Sequence, residues 1–85
     1  MTKDLAYEWA KHGVRVNALA PGWVQTEMTA GVRGNERIRQ ALLGTIPLGR
    51  MGTPEEIAAL AVFLASPQAS YVTGAVFVAD GGASI

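Results

Sequence analysis

The chain has no cysteine and only one histidine among its 85 residues. That excludes disulfides, a thiolate nucleophile and any Cys-based zinc site, no metal site is expected, and the cytoplasm becomes the default compartment. An excess of charge of either sign is missing as well. Seven Lys and Arg balance seven Asp and Glu, so no basic field draws the chain to nucleic acid or to an anionic membrane. Long hydrophobic runs are also absent: the longest, Ile57 to Ala65, has nine residues, against the roughly 20 that a bilayer-spanning helix needs. Met1-Thr2-Lys3-Asp4 lacks the apolar core of a signal peptide. No two glycines are separated by one residue, so there is no Gly-x-Gly loop to cradle a phosphate. Small molecules and other proteins are the partners these absences leave.

What is present reads as α/β. Leu5 and Trp9 lie four apart, Ala6 and Ala10 repeat that spacing, and Lys11 and His12 stand where a helix C-terminus favours cations. This predicts a helix over Thr2 to His12, ended by Gly13. Val14 to Ala20 reads as a mostly apolar strand whose ladder Pro21-Gly22 stops. From Thr26 to Gly52 five glycines surround one amphipathic piece, Glu36 to Leu43, a pattern expected of a mobile segment. Thr53-Pro54-Glu55-Glu56 is a helix start with N-cap, N1 proline and capping box.

The helix it begins, Pro54 to Leu64, is apolar on nearly every side and must pack between a sheet and another layer. Ala75 to Ala79 is continuously apolar, as expected for a parallel strand covered on both faces, and Asp80-Gly81-Gly82 turns the chain out of it. Strand, helix and strand make a right-handed βαβ unit, yet two strands cannot form the sheet such units occupy. A chain this short buries only about 60–65% of its unfolded surface, so its stability alone is marginal. The expected architecture is the edge of a larger doubly wound α/β domain.

In open α/β sheets ligands bind beyond the carboxyl ends of the strands, where Pro21, Gly22, Trp23, Val24, Gln25 and Thr26 fall. Val14-Arg15-Val16-Asn17-Ala18-Leu19-Ala20-Pro21-Gly22 with Thr26, then Tyr71-Val72-Thr73-Gly74 and Asp80-Gly81-Gly82, closely resembles the last third of a short-chain dehydrogenase/reductase. The resemblance covers essentially all 85 residues. It implies the C-terminal part of a Rossmann-like doubly wound parallel sheet, in the order helix, strand, flap, helix, strand, with residues 27–52 as a flap over substrate.

By the same resemblance, Pro21, Gly22, Val24 and Thr26 bind the nicotinamide end of NAD or NADP, with Val24 contributing main-chain hydrogen bonds and Thr26 its hydroxyl. Trp23 and Met28 are candidates for the substrate pocket, Trp23 being equally readable as core packing, and Asn17 is expected to be a satisfied core amide. The family's catalytic Tyr-x-x-x-Lys is matched by Tyr7-Glu8-Trp9-Ala10-Lys11, but these residues sit in the last turns before Gly13, the wrong end of that helix. The true pair is expected upstream of Met1, which falls inside the family's long helix. Ser66, Ser70 and Ser84 all follow the position of the family's catalytic Ser.

No catalytic residue is therefore assigned, and this chain alone is expected neither to turn over nor to hold the cofactor. The implied parent interconverts an alcohol and a ketone on a sugar acid, polyol or 3-oxoacyl substrate, and assembles as a homo-oligomer, a tetramer, through its C-terminal helix and strand. Arg33, Arg37, Arg39 and Arg50 are either a solvated face or a site for an anionic substrate. Glu8-Trp9-Ala10-Lys11 and Gly49-Arg50-Met51-Gly52 look like the sugar-acid and polyol members. The other readings are a non-catalytic oligomerisation module and a gene remnant.

Overall fold

A computed structural model describes residues 1–85. The chain begins with helix α1 (Thr2–Trp9), whose end tightens into a 3-10 turn over Ala10–His12. Gly13 closes that turn at φ 73°, a left-handed conformation that a Cβ disfavours. The helix expected over residues 2–12 is thus one element with a tightened last turn.

Strands β1 (Ala18–Pro21) and β2 (Val76–Ala79) pair in parallel, Ala18 opposite Val76 and Pro21 opposite Ala79. The pairing is as expected, and two boundaries need correction. Residues 14–17 lie outside the ladder, and side chains take up part of the backbone bonding there, beside one main-chain bond from the Gly74 N–H to the Val16 carbonyl at 2.7 Å. The Val16 N–H donates to Thr73 Oγ1 at 3.1 Å, the Asn17 side-chain amide donates to the Val72 carbonyl at 3.0 Å, and its oxygen accepts from the Ala75 N–H at 3.2 Å. Asn17 is therefore a structural amide, as expected.

Pro21 does not stop the ladder but is its last residue. In a parallel pair, alternate residues of a strand bond to a given neighbour. The Ala18 N–H donates to Ala75 and the Gly22 N–H to Ala79, so the N–H that Pro21 lacks would have faced the other edge. Gly22 is then pressed against β2's exit: a Cβ built on it would lie 2.6 Å from Asp80 Cβ.

Between the strands, α3 (Glu36–Leu43) forms where the amphipathic piece was read, capped by Asn35 Oδ1 accepting from the Ile38 N–H at 3.2 Å. A 3-10 turn, Glu27–Thr29, and helix α2 (Ala30–Arg33) precede it. Four residues carry no readable helical period, so α2 had no signature in the sequence. Helix α4 (Pro54–Ala65) starts on the expected capping box: Thr53 Oγ1 accepts from the Glu56 N–H at 3.2 Å and Glu56 Oε1 from the Thr53 N–H at 2.9 Å. Glu56 has a second partner. Arg50 grips both its oxygens, each at 2.8 Å. The Arg50 contact, with the Thr53 N–H, holds the Glu56 carboxyl at about 2, below its ordinary 4.5, and the same contact raises Arg50.

Coverage is where the expectation for β2 and α4 departs from the molecule. Both were read as covered on two sides, yet Val76, Val78 and Val62 are more than half exposed. Only Ala6, Ile46, Met51 and Ala69 are buried. The surface, 6175 Å², exceeds the about 4,800 Å² of a compact protein of this mass. Similarly, the radius of gyration is 15.9 Å against about 12 Å for a compact domain of this length. Along β2 exposure alternates, Val76 and Val78 being open while Phe77 and Ala79 are half-buried. No helix is long and apolar enough to cross a membrane.

Two outcomes are expected from this packing. Gly22→Ala forces Asp80 to move and is expected to cost about 1–3 kcal/mol in urea unfolding, in the range of overpacked sites. The folded Glu56 carboxyl titrates at about 2 and the unfolded one near 4.5. Its stabilising contribution is therefore complete above the upper value and is lost as pH falls towards the lower. Thermal melts followed by circular dichroism should weaken across that window, and Glu56→Gln should remove this part of the pH dependence.

Candidate functional site

Beyond β1 the chain passes alongside Gly52 and is tied to it twice. The Gly52 N–H donates to the Trp23 carbonyl and the Gln25 N–H to the Gly52 carbonyl, both at 2.9 Å, making Val24 and Gly52 an isolated parallel bridge. By the geometry of such a bridge, Val24's own N–H and C=O point away from Gly52. The carbonyl accepts from Thr29 Oγ1 at 2.9 Å. Its N–H has no partner in the chain. A main-chain donor held between two fixed rungs and left unpaired is suited to an acceptor on a ligand.

Thr26 stands two residues on. Its N–H donates to Thr29 Oγ1 at 3.0 Å, and its carbonyl accepts from Arg33 at 2.9 Å and lies 3.0 Å from Thr29 Oγ1, whose single proton it shares with the Val24 carbonyl. Its hydroxyl proton is donated to no group of the chain. Pro21, Val24 and Thr26 line one groove of about 420 Å³ with Ile57 and Ala58 of α4. The structure thus gathers three of the expected cofactor-binding residues. Gly22 does not line this groove, and its missing Cβ answers to Asp80.

Trp23 faces elsewhere, into a cleft of about 210 Å³ shared with Arg50, Glu56 and Asp80. The Asp80 carboxylate is held below the usual range by the Ser84 side chain and by the N–H groups of Gly82 at 2.9 Å and Ser84 at 3.0 Å. It is committed to its own turn. Met28 is 96% exposed and lines none of these clefts.

Of the flap arginines, Arg33, Arg39 and Arg50 surround a cleft of about 90 Å³ beside Gln25, without Arg37. Arg39 is paired with Glu36 at 3.2 Å and Arg50 with Glu56. Much of this cluster's charge is therefore compensated within the chain.

Tyr7 and Lys11 are far from this end of the strands. Lys3 Nζ reaches the Gly74 carbonyl at 3.4 Å, and Ala6 lies against Gly74, which places α1 beside the amino end of β2. Residues 21–26 leave the carboxyl end of β1. Tyr7 itself is 90% exposed.

Three participants had not been read from the sequence: Gly52 as the source of both rungs, Thr29 as the partner of the Val24 carbonyl, and Arg50 as the partner of Glu56. Thr26-x-x-Thr29 has cap-like spacing that could have pointed to Thr29. The other two contacts depend on loop closure and have no local pattern.

The family described as enoyl-(acyl carrier protein) reductase matches residues 1–84. Galactitol 2-dehydrogenase (L-tagatose-forming) of Cereibacter sphaeroides is 56% identical over 85 residues, covering 100% of this chain and 34% of that protein. The 2-dehydro-3-deoxy-D-gluconate 5-dehydrogenase of Pseudoalteromonas atlantica is 50% identical over 78 residues, covering 92% of this chain and 31% of that protein. Among solved structures, the Pseudomonas aeruginosa RhlG/NADP active-site complex superposes with a TM-score of 0.90 at 38% identity, over 99% of this chain and 34% of that one. The chain spans about a third of the length of the curated relatives it matches. Its parallel strand pair, its crossover helix and these matches agree: the chain belongs to the short-chain dehydrogenase/reductase family and carries part of that family's Rossmann-like α/β fold.

Proposed function

We propose that this chain is a segment of an NAD(P)-dependent oxidoreductase that interconverts an alcohol and a ketone on a sugar acid, polyol or 3-oxoacyl substrate in the cytoplasm. The observation that carries the reading is the unpaired Val24 N–H, fixed between the Gly52 rungs, with the Thr26 hydroxyl, whose proton has no acceptor in the chain, two residues beyond. This donor set fits the carboxamide of a nicotinamide, which needs one main-chain donor and a nearby hydroxyl to set its orientation. When bound, the nicotinamide supplies or accepts the hydride.

This chain's own part is orientation. The Val24 N–H donates to the carboxamide, Thr26 donates to the carboxamide or the pyrophosphate, and Pro21 and Gly22 shape the turn. Trp23, from its own cleft, and Met28, exposed and lining no cleft of these residues, would border the substrate, with residues 27–52 closing over it. No proton is moved here, because the one Tyr-x-x-x-Lys string lies beside the amino end of β2.

The exposure of Val62, Phe63, Val76 and Val78 favours one second reading, an assembly module. On that reading α4 and β2 associate with further copies or with a complete enzyme, up to a tetramer. It predicts a concentration-dependent oligomer in sedimentation, with no rise in melting temperature on adding NAD(H) or NADP(H).

The purified chain is expected to show no NAD(P)H turnover above a blank, and turnover would refute the orientation-only role. Exchanged for the matching segment of the Cereibacter galactitol 2-dehydrogenase, residues 1–85 are expected to sustain galactitol oxidation. In that enzyme Thr26→Ala should raise the cofactor KM by about 3- to 10-fold, the worth of one hydrogen bond. An unchanged KM and rate would remove Thr26 from the site.

A further inference from the structure

We propose that the Arg50–Glu56 pair is a positioning device for the Val24 N–H, and so a determinant of cofactor affinity that never touches the cofactor. The proposal rests on the cofactor reading above and adds the means by which the donor is held. Three observations carry it. Glu56 Oε1 collects Arg50 Nη1 at 2.8 Å, the Thr53 N–H at 2.9 Å and the Thr53 hydroxyl at 3.3 Å. Arg50 Nη1 also donates to the Met51 carbonyl at 3.1 Å, and Met51 is one of the few buried residues. Gly52, enclosed between Met51 and Thr53, makes both rungs to Trp23 and Gln25.

The chain of restraint is therefore continuous. The first turn of α4, closed by its capping box, holds Glu56. Glu56 holds Arg50 by two parallel charge-assisted bonds, a geometry that fixes direction as well as distance. Residues 50–53 are thereby closed into a loop through Glu56, which restrains the direction in which Gly52 presents its N–H and C=O. That attitude decides where Val24 sits and where its free N–H points.

A pair serving only to cap α4 would not need Arg50, since the capping box is already complete with Thr53 and Glu56. Nor does the pair occupy the groove of Pro21, Val24 and Thr26; it lies in the Trp23 cleft. It acts on the donor from behind.

The test uses the exchanged galactitol dehydrogenase. Arg50→Met removes the guanidinium and leaves the capping box intact, whereas Glu56→Gln keeps an acceptor for the Thr53 N–H and removes the charge. NADH and NADPH are titrated by fluorescence, with melting temperature recorded alongside. Each variant is expected to raise the Kd of the better-bound cofactor by about 3- to 10-fold, with kcat at saturating cofactor affected less. The double variant should lose no more than the worse single, because the two residues act as one unit.

Lower melting temperatures with an unchanged Kd would overturn the proposal and leave a pair that only holds the helix. Additive losses in the double variant would overturn it too. If the unmutated exchanged enzyme binds neither cofactor, the cofactor reading itself falls and takes the positioning role with it. That outcome is seen before any variant is made.

Discussion

The parallel ladder between β1 and β2 is the interaction on which the rest depends. It joins residues more than fifty positions apart in a molecule with only four buried residues, so directional hydrogen bonds rather than a broad core define the arrangement. Its end is fixed by a close contact, Gly22 against Asp80. From there the two chains diverge, one towards Val24 and Thr26 and the other into the Asp80 turn. The candidate site begins where the ladder stops.

At that end the backbone supplies unpartnered donors. Side chains such as Thr29, Arg33 and Asn17 bond main-chain groups of 17–33 and 72–75, and the Val24 N–H is among the groups left without a partner in the chain. This division suits a cofactor carrying its own reactive atom, for which the protein must supply orientation. It also explains why Arg33, Arg39 and Arg50 need no ligand to justify them. They bond carbonyls and carboxylates of the chain itself.

The bare faces of α4 and β2 have a related cause. A strand such as Val76–Ala79, apolar on both faces, is stable in water only between two layers, and here its alternate residues Val76 and Val78 stand exposed. Exposed valines there are the complement of a missing layer, which the matched relatives, about three times as long, have room to supply.

Elements with a local cause could be read from the sequence. The Thr53-Pro54-Glu55-Glu56 start, the Gly13 stop, the amphipathic Glu36 to Leu43 and the apolar Ala75 to Ala79 each express an interaction within a few residues, and each recurs in the structure within a residue or two. The shortened β1, the survival of its ladder through Pro21, helix α2 and the Arg50–Glu56 grip could not be read this way. They follow from which edge a missing N–H faces, from an amide reaching across more than fifty residues, and from a loop closing on a helix start. The sequence by itself determined the element types, the family resemblance and the turn that could meet a ligand, because capping, periodicity and turn chemistry act over short separations. Only the tertiary structure decided which donors stay free in that turn, because that depends on the partners that distant segments bring to the other groups.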